Sequence, residues 1–167
     1  LGDKLTAGFV IDESSAHFTK IEFTQGTHPL PSEQNYQFTQ NIIHKLSNLT
    51  DKDLVLIVVC GGGSAMLVHT YKLSLEQKIV VNKALLQSGA NIIEMNKVRQ
   101  HLSDVKGGGL AQALYPARVA SLIFSDVPGN DLTYIASGPT VHDPTHIEDA
   151  KAILRKYNLE EQLALPD

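Results

Sequence analysis

Four short segments carry residue types suited to binding and moving anions. The first is Cys60-Gly61-Gly62-Gly63-Ser64. Three consecutive glycines expose backbone N–H groups with no side chains in the way, and Ser64 adds a hydroxyl donor. Such amides favour a phosphate or carboxylate, more so where a helix follows. The second is NKVRQHLSDVKGGG, residues 96–109. At roughly 100° per residue, Arg99 and Ser103 share one helical face, and Lys106 joins them if the helix persists. Their charges would neutralise an acidic ligand, with the amides of Gly107, Gly108 and Gly109 beside them. His101 points the other way and joins the group only if the helix ends early. The third holds Ser125 and Asp126, with Asp131 following. A carboxylate at the end of a strand can hold Mg²⁺ or accept a substrate proton. The fourth is ASGPT, residues 136–140, with the Ser137 and Thr140 hydroxyls and the Gly138 amide.

Each segment also has a plainer reading. The glycines can form a tight strand-to-helix turn with no ligand. Arg99 and Lys106 can lie on a solvated helix face. Asp126 and Asp131 can cap turns, and ASGPT can simply reverse the chain. Known signatures do not match. No lysine follows the glycines as a P-loop requires, and the spacing is too tight for a dinucleotide fingerprint. Gly62-Gly63-Ser64-Ala65-Met66 lacks the second glycine of a nucleophile elbow. Cys60 has no basic neighbour in sequence to make it a thiolate, so we expect a small buried side chain. His28, in THPLP, suits a ligand, a base or a structural role. The seven histidines show no metal-ligand spacing.

The elements that must position these segments alternate in type. Residues 8–11, 20–25, 53–60 and 117–126 read as strands. The run 53–60 is apolar on both faces, which predicts a central strand covered by helices on each side. Ser32 can cap a helix running to about Asn48, with Tyr36, Ile43 and Leu46 turned inward. SLEQ, residues 74–77, has capping-box spacing and opens a helix to Ser88, closed by Gly89. Asn91 opens the next, through Ser103, broken by KGGGL; LAQALY can add one more turn. Residues 26–35 and 127–145 read as loops. Asp143 can cap the last helix, with Pro144 at its first position and Ile147, Ala150, Leu154 and Tyr157 as its apolar stripe. This order predicts a layered, Rossmann-like α/β domain with a largely parallel sheet flanked by helices. In such sheets ligands bind where loops leave the carboxyl ends of strands, and the two best strands end in CGGGS and SDVPGND.

Bulk properties narrow the class. The 167 residues fit a single α/β domain, 43% apolar and 19% charged, with net charge −4. That charge gives no reason to expect nucleic acid or a membrane surface as partner. No run is long enough to span a bilayer. The single cysteine, Cys60, allows no internal disulfide and suits a reducing compartment, so we expect a cytoplasmic location. The start, LGDKLTAGF, has neither Met nor a signal-like apolar stretch, so we expect a piece of a longer protein.

Taken in order, GTHPLPSE, VVCGGGSAML, SGANIIEMNKVRQHLSDVKGGGLAQA, PARVASLIFSDVPGND and IASGPTVHDPT resemble the type II glycerate kinases over nearly the whole chain. That family joins an N-terminal α/β domain to a second domain called MOFRL. The resemblance therefore implies that residues 1–167 are an incomplete N-terminal domain of a two-domain protein, with the active site in the cleft between the two. It implies ATP-dependent phosphorylation of D-glycerate at its 2-hydroxyl, giving 2-phosphoglycerate, with ATP and Mg²⁺ required and a small hydroxy acid as substrate. A homo-oligomer is left open. Carried over by motif, Gly61, Gly62, Gly63 and Ser64 form the glycine turn. Arg99, His101, Leu102, Ser103, Lys106, Gly107 and Gly108 form the basic segment. Ser125, Asp126 and Gly129 form the acidic loop, and Ser137, Gly138, Pro139 and Thr140 the last motif. Arg99, Lys106 and Asp126 would be catalytic, with Asp126 also the Mg²⁺ ligand. Three positions depart from the family pattern: Cys60 replaces a usual Ser, Gln100 stands where a basic residue often follows the arginine, and Asn130 replaces Asp. Two other functions stay open. Some family members carry the older name hydroxypyruvate reductase, though no dinucleotide fingerprint is present here. A non-catalytic anion-binding domain is the other.

Overall fold

The computed structural model describes residues 2–163 and 165. Strands β1 (Gly8–Asp12) and β2 (Ile21–Gln25) pair in parallel, with Gly8 opposite Ile21. Helix α1 (Glu33–Lys45) follows. Strand β3 (Leu54–Val59) pairs in parallel with β4 (Arg118–Ile123), Leu54 opposite Arg118 and Val59 opposite Ile123. Between these two strands run α2 (Gly63–Met66), α3 (Leu75–Gln87), α4 (Ile92–His101) and α5 (Gly109–Ala113). Helices α6 (Ile147–Lys156) and α7 (Glu160–Leu163) close the described chain. Every strand pair among the described residues is parallel. The fold is the α/β class that the order of elements predicted: parallel strands flanked by helices.

Two helix starts form as their local sequence dictates. Ser74 accepts from the Gln77 amide at 3.2 Å while the Gln77 side chain accepts from the Ser74 amide at 2.8 Å. Asn91 and Glu94 repeat this reciprocal pairing at α4. One helix start departs from the prediction, and another forms in place without its expected capping bond. The Asp143 carboxylate is taken by the Thr145 amide and hydroxyl, at 2.9 and 2.7 Å, so it cannot serve a helix. Helix α6 begins four residues later at Ile147, where Asp149 accepts from the His146 amide. Ser32 stands before α1 but makes no capping bond; its hydroxyl donates to Asn35 Oδ1 instead. Helix α1 ends at Lys45, and α4 at His101, each short of its predicted end.

The core has three parts. Val81, Leu85, Met95, Val98, Ile153 and Leu154 join α3, α4 and α6. Val105, Leu110 and Leu114 pack on Val55, Ile57 and Val119. Val59, Ile135 and Ala136 form a smaller group near the end of β3. Strand side chains alternate between faces, so these contacts use only the odd-numbered residues of β3. Leu54, Leu56 and Val58 face away and are 66%, 41% and 61% exposed. The expectation of helices on both faces is therefore half met: no element among the described residues covers the second face. Leu122 and Phe124 extend that open apolar surface. Cys60, expected to be buried, is exposed just past the strand. No helix among the described residues is long and apolar enough to cross a membrane.

Candidate functional site

The glycine turn is favoured as glycine by close neighbours at Gly61 and Gly63 and by the backbone conformation at Gly62. A methyl group on Gly61 would lie 2.7 Å from Asp126 Oδ2, and one on Gly63 would lie 2.7 Å from Ala136 Cβ. Gly62 has φ +80°, a left-handed conformation that glycine adopts readily, and a methyl there would meet the His28 ring at 3.4 Å. The turn therefore draws three remote segments to the carboxyl end of β3. The Gly63 amide makes one long bond to the Cys60 carbonyl, at 3.4 Å. Among the described residues, the amides of Gly61, Gly62 and Ser64 have no protein acceptor.

The last motif is bent to fit against this turn. Ala136, Ser137 and Gly138 all have positive φ, at 51°, 62° and 61°. Two consecutive non-glycine residues in that region are strained and persist only where surrounding contacts hold them. Those contacts are present. The Ser137 hydroxyl lies 3.0 Å from the Ser64 hydroxyl. The Ser137 carbonyl accepts from the Gly107 amide at 3.0 Å and from Gln100 Nε2 at 3.3 Å. Gln100, where the family resemblance implied a basic residue, is buried and donates also to the Thr133 carbonyl. It clamps the 133–137 loop, a task for which a neutral amide suits a buried site.

Lys106 joins the two motifs. Its ammonium donates to the Ser64 carbonyl at 2.8 Å and lies 3.4 Å from the Ser137 hydroxyl. It is buried, and burial lowers its pKa well below the ordinary range; the charges of Lys78 and Arg99 lower it further. Arg99 Nε donates to Asn82 Oδ1 at 2.9 Å, which holds the half-buried guanidinium between α3 and α4. Burial lowers its pKa as well. Lys78, on α3, is the third member of this cluster and was not singled out by sequence reasoning. Its pKa is pulled down to about 8, first by burial and then by Arg99, with Asp104 acting in the opposite direction.

The sequence-selected residues divide into two groups. Gly61, Gly62, Gly63, Ser64, Lys106, Ser137 and Asp126 come together around the glycine turn, with Gly138 in the supporting bend and Arg99 within the same field of charge. The others make hydrogen bonds away from the turn, although His101, Ser103 and Gly107 line one cavity with Lys106. Ser103 donates to the His69 carbonyl at 2.8 Å. His101 lies 3.0 Å from the Thr145 hydroxyl and 3.9 Å from Asp143, on the far side of α4 from Arg99. The Thr140 hydroxyl accepts from Ser121. The amides of Gly107 and Gly108, expected to face an anion, donate to the carbonyls of Ser137 and Gly138. Those two glycines fasten the last motif to α5 because their positive φ lets the backbone turn into it. Asp131 caps a turn by accepting from the Thr133 amide and hydroxyl, which also lower its pKa.

Asn35 is a further residue that sequence reasoning passed over. Fully buried, it accepts from the Thr27 amide and the Ser32 hydroxyl and donates to the carbonyls of Thr27 and Ala65. It thereby fixes the loop carrying His28 against α2. A polar residue on the inward face of α1, one turn before Thr39, was the available signal.

Residues 1–166 match the family model described as "Domain of unknown function (DUF4147)". The chain belongs to the DUF4147 family. This DUF4147 chain is 49% identical over 142 residues to an Agrobacterium vitis protein provisionally named hydroxypyruvate reductase, covering 84% of the chain and 32% of that protein. It is 39% identical over 164 residues to a D-glycerate 2-kinase of Thermotoga maritima, covering 96% of the chain and 39% of that protein. The crystal structure of glycerate kinase from Thermotoga maritima is similar over 96% of the chain and 40% of its own length, with a TM-score of 0.91. The DUF4147 chain thus spans well under half the length of the relatives it matches.

Proposed function

We propose that this chain forms the anion-binding part of a kinase that moves the terminal phosphoryl group of ATP to the 2-hydroxyl of D-glycerate. The observation that carries the reading is the convergence of Ser64, Ser137 and Lys106 beside open glycine-turn amides, with Asp126 at the edge. The names of the relatives support the substrate and the donor. Phosphoryl transfer asks mostly for positioning and charge neutralisation, and this site offers both.

In this reading the amides of Gly61, Gly62 and Ser64 hold phosphate oxygens or the glycerate carboxylate. Lys106 and Arg99 offset negative charge. The bond from the 2-hydroxyl oxygen to the terminal phosphorus forms as the bond to the leaving ADP oxygen breaks. The hydroxyl proton passes to the Asp126 carboxylate. Among the described residues no group of three or more His, Cys, Asp or Glu side chains could hold a metal ion. Asp126 alone fits Mg²⁺ only as an ion shared with phosphate oxygens, an ordinary arrangement for Mg²⁺. Bound so, it would offset phosphate charge. The open apolar face of β3 and β4, and the greater length of the relatives, support a second domain that closes over the site. A small-molecule partner and a cytoplasmic setting accord with this reading.

The test is an ADP-release assay on the longest natural polypeptide that carries this chain. Arg99→Ala and Lys106→Ala should each lower kcat/KM about a hundredfold or more, roughly 3 kcal/mol. Turnover equal to the unsubstituted enzyme in both variants overturns the assignment. Reduction of hydroxypyruvate with NADH, without ADP release from ATP and glycerate, would favour the reductase instead.

A further inference from the structure

Lys78 sits on the inward side of α3 and is 5% exposed. Lysine is almost never buried without a partner. Yet its ammonium is the buried side-chain polar atom that finds no hydrogen-bond partner among the described residues. The neighbouring cations are better served: Lys106 has Ser64 and Ser137, and Arg99 has Asn82. Of the charges that act on Lys78, Arg99 and Lys106 repel it and Asp104 attracts it. The Asp104 carboxylate is itself engaged by His69 Nδ1 at 2.7 Å, and the His69 ring is stacked on Tyr36.

A leucine or methionine at this position would fill the same space with no cost of desolvation. Three buried or half-buried cations with one engaged carboxylate leave the cluster short of negative charge. Among the described residues no side chain or carbonyl hydrogen-bonds the Lys78 ammonium, and the attraction of Asp104 is shared with His69, which leaves room for a counter-charge from a ligand. We propose that Lys78 is an anion-binding residue whose ammonium, together with Lys106 and Arg99, takes an oxyanion of a phosphate or a hydroxy-acid carboxylate. The proposal deepens the kinase reading and rests on it for the identity of the ligands. The lowered pKa accords with it, since a cation held without a partner releases its proton easily and an arriving oxyanion would restore it.

The experiment titrates the 167-residue chain calorimetrically with inorganic phosphate and, separately, with D-glycerate, and compares Lys78→Met. Melting of each ligand-free protein is recorded alongside. We expect the variant to bind at least one of the two anions at least tenfold more weakly and to melt higher without ligand. The anion affected identifies the source of the oxyanion. At pH 8.5 the unsubstituted chain should take up protons on binding, and the variant should take up fewer. Equal affinity of variant and parent for both anions overturns the proposal. So does a variant that melts lower, since the ammonium would then serve the fold itself. No binding of either anion by the parent chain overturns it as well. If Lys106→Ala weakens phosphate binding but Lys78→Met does not, this inference falls and the kinase reading stands. If phosphate binds and Lys78→Met weakens it, yet the longer enzyme moves no phosphate from ATP to glycerate, the kinase reading falls and the cation site stands.

Discussion

The Lys106 ammonium donates to the carbonyl oxygen of Ser64 at 2.8 Å, across 42 residues of chain. The bond ties the basic segment to the glycine turn and fixes a charge beside amides that have no protein acceptor. It also explains how a fully buried ammonium is tolerated. A charged donor with good acceptors recovers part of the solvation that burial removes.

Gly63 packs tightly against Ala136 in the site, and the contact is testable by a double-mutant cycle. Gly63→Ala places a methyl 2.7 Å from Ala136 Cβ and must push the two motifs apart. We expect it to lower stability by about 1–3 kcal/mol. Ala136→Gly removes the opposing methyl and relieves a residue at φ +51°, so alone it should be neutral or mildly stabilising. The double variant should recover most of the loss, giving a coupling of about 1 kcal/mol or more. Urea unfolding of the four proteins decides it, and simple additivity would contradict the packing described.

Asn35 makes four hydrogen bonds in a fully buried position. Asn35→Ala strands the Thr27 amide and two carbonyls, so stability should fall by about 2–4 kcal/mol. Asn35→Asp keeps the acceptors and loses both donors, and should be no better. Faster hydrogen exchange at the Thr27 amide, where Asn35 is removed, would report the freed loop.

Stability should depend on pH at both ends of the range. Glu94 is held down to about 2 by Lys156 first, then by the Tyr157 hydroxyl and the Asn91 amide. Its folded pKa lies below the unfolded one, so its contribution is complete above pH 4.5 and is lost as pH falls toward 2. Lys78, at about 8, and Lys106, also lowered, behave oppositely. From about pH 8 to 10.5 the unfolded chain holds more protons than the folded chain, so these two groups make stability climb with pH. Urea midpoints across that window should show the rise, and Lys78→Met should flatten it.

The open face of β3 and β4 predicts a difference between the chain alone and any longer polypeptide that carries it. Leu56→Gln with Val58→Thr should leave the stability of the 167-residue chain within about 0.5 kcal/mol per change. Self-association, followed by light scattering, should fall as the apolar patch shrinks. In the longer protein the same changes should lower the unfolding midpoint, because there the face is expected to be covered. Equal behaviour in both settings would remove the support this surface gives to a second domain.

What the sequence determined by itself was local. The α/β class follows from apolar runs alternating with helical periodicity. The starts of α3 and α4 follow from Ser74 with Gln77 and from Asn91 with Glu94, since those partners lie three residues apart. The glycine turn and its position after β3 were legible for the same reason: they need only neighbours in the chain. The start of α6 was not, because Asp143 is drawn into a turn with Thr145 in a loop that passes over Gly107. Only the tertiary structure decided which donors stay open. The amides of Gly61 and Gly107 look alike in sequence, yet among the described residues one has no protein acceptor while the other is taken by Ser137 thirty residues later. Lys78 is set apart only by the tertiary structure, which buries it on α3 within reach of the Arg99 charge on α4. An amide or an ammonium is defined by its partner, and the partners here come from segments that only folding brings within 3 Å or so of one another.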